Sequence, residues 1–246
     1  RTVNVARNAG IEVASGDVIA FVNDDLRIED GWRRAIVEGL TEAPVVTGPT
    51  HRTVPGGVTT ESAETRSIAA RDVTYFSGSN VAFEADVLAD LDGFDEYLET
   101  GGARDAAHRL AGMDVGVTWQ PAMSVRCEYE ADGGRTQRDW GWKYRALSYR
   151  LVKNYGLRPT VARRTIAHAV SDALSAARDV VGGDAQPTEW FGTGRDVVSG
   201  IATGGSDGLV ARRRDRDASR NPHGISKRAD RAVARYDWRG TEPAPE

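Results

Sequence analysis

Asn23, Asp24 and Asp25 follow directly on a short apolar run, Asp17-Val-Ile-Ala-Phe-Val22. A buried strand that ends in an acidic cluster delivers carboxylates to the carboxyl edge of an α/β sheet, where ligands bind in that architecture. Two or three oxygen ligands at a strand end suit Mg²⁺ or Mn²⁺, which leave positions open for substrate phosphate. The same residues equally suit a turn, or the cap of a helix beginning near Asp30. A second candidate is Asp105, which lies behind Thr100-Gly101-Gly102 at the start of a helical stretch. A carboxylate there meets the positive helix end. With Arg104 before it and His108-Arg109 one turn later, a helix-start residue or surface ion pair is the simpler reading.

Other chemistries find little support. His51, His108, His168 and His223 are scattered and show no metal-ligand spacing. Cys127 is the single cysteine, which excludes an internal disulfide framework. Ser77-Gly78-Ser79 lacks the surroundings of a nucleophile elbow.

The elements that must position these residues alternate as in an open α/β sheet. Residues 1–16 read as a helix and 17–22 as a buried central strand. Residues 29–41 read as a helix with Trp32, Ile36, Val37 and Leu40 at helical spacing, and 45–47 as a strand. Residues 50–72 are polar around Pro55-Gly56-Gly57 and suggest a mobile loop. A strand over 75–83 turns at Gly78, followed by helices at 84–90 and 104–112 and strands at 115–119 and 123–129. From Asp139 the chain turns aromatic and basic, 160–181 reads as an amphipathic helix, and 192–208 is rich in glycine. These shifts divide the chain into a catalytic-type domain over 1–135, a helical extension over 136–200 and a basic, flexible tail over 201–246.

The charge distribution follows the same division. The 246 residues carry a formal charge of −4, yet Arg212 to Arg239 is net +6, leaving the body at −10. Only Lys143, Lys153 and Lys227 are lysines among the 32 basic residues, which, with Asp outnumbering Glu, fits a GC-rich, salt-adapted source. No stretch approaches the ~18 apolar residues of a membrane span.

In order, Ala6-Arg7-Asn8-Ala9-Gly10-Ile11, Ala14-Ser15-Gly16-Asp17, Phe21-Val22-Asn23-Asp24-Asp25, Gly78-Ser79-Asn80-Val81-Ala82-Phe83 and Gly93-Phe94-Asp95-Glu96 resemble the family 2 glycosyltransferases of the GT-A type. The resemblance covers roughly residues 1–130. It implies a GT-A-like (Rossmann-like) mixed α/β sheet flanked by helices, followed here by an α-helical C-terminal extension. It also implies inverting transfer of a sugar from a nucleotide-sugar to a hydroxyl acceptor on a glycan or lipid-linked carrier. A divalent metal, Mg²⁺ or Mn²⁺, would bridge the donor diphosphate as a Lewis acid. Asp25 stands at the metal-binding position, Asn23 at the family's first DxD aspartate, and Asn23, Asp24 and Asn80 form the donor-binding set. Asp105 matches the base that takes the acceptor's proton.

This chain departs from the family pattern in three places. Arg104-Asp105 replaces the family's Glu-Asp, and Cys127 and Glu128 stand where a metal-contacting histidine is common. The chain also starts inside the helix that follows the family's nucleotide-binding half, and it starts with Arg. It therefore reads as a truncated chain with an incomplete donor site and an exposed sheet edge. Those departures motivate the alternative, a catalytically inactive GT-A-like binding module.

The resemblance sets the reaction at the cytoplasmic side, at the inner face of the cell membrane. The rings and cations of 139–155 suit a membrane interface, and they equally suit a helix packing its rings on the catalytic body. The basic tail could meet anionic headgroups, although its Arg/Asp interleaving points to a solvated segment. No nucleic-acid partner is expected.

Overall fold

The computed structural model describes residues 2–54, 57–127, 139–160, 163, 165–167, 187–214 and 221–228. The chain opens with α1 (Val3–Val13), whose first turn is closed by the Thr2 hydroxyl accepting from the Val5 amide. There follow β1 (Val18–Val22), β2 (Leu26–Ile28), α2 (Trp32–Gly39), β3 (Val45–Thr47), β4 (Thr50–Val54), β5 (Gly57–Thr60), β6 (Glu64–Ile68), β7 (Arg71–Tyr75) and β8 (Asn80–Glu84). The remainder is α3 (Ala85–Asp90), α4 (Gly102–Gly112), β9 (Thr118–Trp119), β10 (Val125–Cys127), α5 (Trp140–Tyr155), α6 (Pro187–Arg214) and a 3₁₀ turn at Ile225–Lys227.

The strands form a mixed sheet in the order β1-β8-β3-β9, a second in the order β2-β10-β4-β5, and the β6–β7 hairpin. In the first sheet β1 and β3 both run antiparallel to β8, and β9 runs parallel to β3. Their carboxyl ends therefore share one edge, and the β1–β2 turn, residues 23–25, sits on it. The mixed α/β sheet with flanking helices and a helical C-terminal region is the GT-A-like architecture expected.

Three local expectations change. Among the described residues β1 is an edge strand rather than a central one: Ile19 and Phe21 face the core while Val18 is exposed. Residues 50–72 are largely strand, because Thr-rich alternation builds hairpins whose faces are mostly solvated and so lack an apolar signature. The glycine-rich stretch lies inside α6, and so does the division expected at residue 200. The helix expected over 160–181 falls mostly outside the described residues.

The main core joins both halves of the chain. Phe21, Phe76, Phe83 and Phe94 meet edge to face, with centroids 5.3 to 6.3 Å apart, an arrangement aromatic quadrupoles favour. Tyr144, Leu147, Leu151 and Tyr155 of α5 belong to the same cluster. The α5 tyrosines thus face inward, with Tyr144 and Tyr149 fully buried, while Trp140 and Trp142 are half-buried.

The pairing of α5 with α6 explains the glycines. Gly200, Gly204 and Gly208 recur every four residues on one face of α6. A Cβ on them would fall 2.3 Å from the Gly141 carbonyl, 2.1 Å from that of Arg145 and 2.7 Å from that of Tyr149. Only glycine lets the two backbones approach this closely. No described helix is long and apolar enough to cross a membrane.

Candidate functional site

The carboxyl edge of the first sheet holds Asn23, Asp24 and Asp25 in a turn closed by the Leu26 amide donating to the Asn23 carbonyl at 3.2 Å. Asn23 and Asp24 are exposed and Asp25 is half-buried. One oxygen of Asp25, Oδ1, is fully enclosed and has no hydrogen-bond partner. An enclosed carboxylate oxygen without a donor is costly, and a cation is the species that satisfies it best. The described residues contain no group of three side chains able to hold a metal. The fit is therefore to an ion like Mg²⁺, held by one or two carboxylates plus water and substrate phosphate. Asp25, with Asp24 and Asn23 beside it, would hold it.

Asn80 sits beside this turn, paired with Val22, but its side chain is spent internally. It is fully buried, donates to the Met123 carbonyl at 2.8 Å and the Pro49 carbonyl at 3.3 Å, and accepts from the Trp32 indole at 2.9 Å. It ties the loops of the sheet edge together, so its role at a donor site is to position that edge.

Asp105 lies in the interior rather than at an open helix start. It is fully buried in α4, with Oδ2 accepting from Lys153 at 2.8 Å and Arg109 at 3.0 Å, and Oδ1 from Asn154 at 2.9 Å. Burial opposes its ionisation, but the charges of Lys153 and Arg109 outweigh it and hold the carboxyl well below the usual range. Lys153 also reaches Asp95 at 2.6 Å, and Tyr149 donates to the same Asp95 oxygen at 2.9 Å. Burial, then the Asp95 charge, keeps the Tyr149 phenol protonated far beyond its ordinary range. Two carboxylates and two cations thus balance within a closed network joining the Asp95 turn, α4 and α5.

The motif residues of α1 serve the same region. Asn8 donates to the Phe94 carbonyl and accepts from the Phe94 amide, both at 2.8 Å, and Asn4 donates to the carbonyls of Leu98 at 2.7 Å and Asp95 at 3.1 Å. Gly93 needs its positive φ of 66°, and a Cβ there would strike Asn8 Oδ1 at 2.5 Å. The residues that read as a motif are thus partners across the fold.

Sequence reasoning passed over two further features. The Arg7 guanidinium lies over Gly78, where a Cβ would come within 2.8 Å of it, beside the β1–β2 turn. Burial lowers its pKa, and it donates to Asn4 Oδ1 at 3.3 Å. Its place in the Ala-Arg-Asn-Ala-Gly motif was the available signal. The other feature is a cleft of about 840 Å³ between the β6–β7 hairpin, the start of α4 and α5. Glu64, Tyr75, Arg104, Trp142, Lys143 and Arg150 are among the residues lining it. Glu64, Tyr75 and Arg104 also line a smaller hollow that reaches Ser77 and Trp119. Trp119 ends β9 at the same carboxyl edge of the sheet as residues 23–25, on the opposite outer strand from β1.

Comparison with known proteins meets this geometry. The model of the glycosyl transferase family 2 matches residues 1–88, which include α1, the acidic turn and β8. A glucosyl-dolichyl phosphate glucuronosyltransferase from Haloferax volcanii is 22% identical over 160 residues, 57% of this chain and 51% of the relative. The chain thus spans about half that relative's length. Over residues 1–88, the segment that carries the acidic turn, the chain is similar to glycosyl transferase family 2.

Proposed function

We propose that the protein transfers a sugar from a nucleotide-sugar donor to a hydroxyl of a glycan or lipid-linked acceptor, with inversion and with Mg²⁺ or Mn²⁺ at Asp25. The observation that carries this reading is the enclosed, partnerless Asp25 oxygen at the sheet edge of a family 2 segment. When bound, the ion supplies Lewis-acid neutralisation of the departing nucleotide. Asn23 and Asp24 flank the donor diphosphate, and Arg7 offers a guanidinium to its oxygens. Asn80 and Trp32 keep that edge in shape. The relative's name supports a lipid-linked, phosphate-bearing acceptor and a glucuronosyl donor.

An inverting transfer needs one carboxylate to take the acceptor's proton. The cleft-lining carboxylates among the described residues are Glu64 and Asp139. Asp105, enclosed by Lys153, Arg109 and Asn154, enters this scheme by positioning α4 and the Arg104 it carries. That enclosure also favours a second reading, donor binding without transfer.

The test uses the product of the whole open reading frame. Transfer from UDP-glucuronic acid and UDP-glucose to a short isoprenyl-phosphate glucoside is measured with Mg²⁺, Mn²⁺ or EDTA, beside donor binding by calorimetry. Metal-dependent transfer that falls on the order of 100-fold in Asp25→Ala supports the enzyme. Metal-dependent donor binding with no transfer supports the binding module, and equal transfer in Asp25→Ala removes the metal assignment.

A further inference from the structure

Glu64 of β6 is claimed by two guanidinium groups at once. Arg104 Nη2 donates to Oε2 at 3.0 Å and Arg66 Nε to Oε1 at 3.2 Å. Burial opposes ionisation of Glu64, yet Arg104 and then Arg66 outweigh it and hold the carboxyl below its ordinary value. The Arg104 guanidinium also lies 4.5 Å from the centroid of the Tyr75 ring, which fixes its plane against the hairpin. Around the large cleft Arg66, Arg104, Lys143 and Arg150 outnumber the carboxylates Glu64 and Asp139, while Glu61 lines the smaller hollow beside it.

The opposite wall is also cationic and aromatic. Trp142, Lys143 and Arg150 line it from α5. A Cβ on Gly101 would come within 2.9 Å of Arg150 Nη1, so the guanidinium lies against the turn that opens α4. Ala146, Leu147 and Leu151 supply an apolar floor. Rings beside cations over an apolar floor suit an amphipathic glycan carrying an acid group, because sugar faces pack on rings and guanidinium groups clamp oxyanions.

We propose that Arg104, with Arg66 across Glu64, is the specificity element for an anionic group on the acceptor, which the cleft binds between the hairpin and α5. This rests on the glycosyl-transfer reading and deepens it. The shared chemistry is an oxyanion. Its source is either the phosphate of a lipid-linked glycan or the carboxylate of an acidic sugar.

Calorimetric titration of the whole-reading-frame protein separates these sources. The probes are a citronellyl-phosphate glucoside, a glucuronic-acid-terminated disaccharide, neutral octyl glucoside and UDP. Arg104→Gln is expected to weaken binding of at least one anionic glycan roughly tenfold, leaving octyl glucoside and UDP within twofold. Loss for the phosphate probe alone identifies a lipid phosphate, and loss for the uronate alone an acidic sugar. Glu64→Gln supplies the second readout. With its competing carboxylate gone, the anionic probe should bind several-fold tighter, an effect opposite to that of a merely structural residue. Arg104→Lys should recover part of the affinity, as charge returns without the planar fork. Unchanged anionic binding in Arg104→Gln, weaker binding in Glu64→Gln, or an Arg104→Gln loss confined to UDP overturns the proposal. Because binding is read without turnover, a failure of transfer in the wild type counts against the enzymatic reading and leaves this subsite standing.

Discussion

Lys153 of α5 donates to Asp105 of α4 at 2.8 Å, with both side chains at most 4% exposed. The C-terminal helical region is thereby tied by charge to the helix that carries Arg104 to the cleft. The same ammonium reaches Asp95 of the Gly93-Phe94-Asp95-Glu96 turn, which α1 holds through Asn4. One cation therefore closes a link from α1 through the turn to α4 and α5.

Removing that cation should be severe. Lys153→Met leaves two buried carboxylates with less compensation, and breaking a buried pair on one side costs about 3–5 kcal/mol. Denaturant midpoints should show a loss of that order. The double mutant Lys153→Met/Asp105→Asn should be more stable than the sum of the single losses predicts, with coupling above about 1 kcal/mol. Additive losses would mean that the two side chains act independently.

Acid should find the same network. Asp105 has its pKa depressed in the fold, through Lys153 and Arg109 acting against burial. A depressed carboxylate contributes stability that is complete above its unfolded value, near 4, and that drains away as pH falls below it towards the folded value. Thermal midpoints of the wild type should therefore drop steeply from about pH 4 downward. In Asp105→Asn the midpoint starts lower and the acid limb is shallower. An identical acid limb in both proteins would remove Asp105 as its source.

Much of the sheet and its acidic edge was legible in the sequence, because strands such as Val18–Val22 and Val45–Thr47 are compact apolar runs bounded by glycine or polar residues. The interior network was not. Asn4 and Asn8, one helical turn apart, look solvent-facing until the turn at Phe94 is known to lie against them. Lys153 sits in a basic, aromatic helix and reads as surface, since its partners are 48 and 58 residues away. Asp105 was noticed for its place at a helix start, and its setting depended on those same distant cations. The α6 helix was hidden for a related reason: glycines count against a helix until the backbone they must touch is in place.

That contact gives a sharp expectation for two glycines of the same helix. A Cβ at position 204 would lie 2.1 Å from the Arg145 carbonyl, whereas one at position 194 meets nothing within 4 Å. Gly204→Ala should force α5 and α6 apart and cost about 1–3 kcal/mol, overriding the gain in helix propensity. Gly194→Ala should be neutral or stabilise by up to about 1 kcal/mol. Thermal midpoints of the two variants check this, and equal shifts would mean that the helices do not meet through the glycine ridge.

Asp25 and Asp105 should separate when both are changed to asparagine. Asp25 keeps an enclosed oxygen without a partner, an arrangement that costs stability in the absence of a cation. Asp25→Asn should therefore hold or raise the thermal midpoint while abolishing the Mn²⁺ dependence of donor binding, read by paramagnetic resonance of the ion. Asp105→Asn should lower the midpoint, and its transfer should track the folded fraction without losing Mn²⁺ dependence. The opposite pattern is the signature of a base at Asp105: an unchanged midpoint, intact donor binding and transfer lost by several orders of magnitude. Comparing midpoint, metal response and transfer rate in the two variants thus assigns each carboxylate to the fold or to the chemistry.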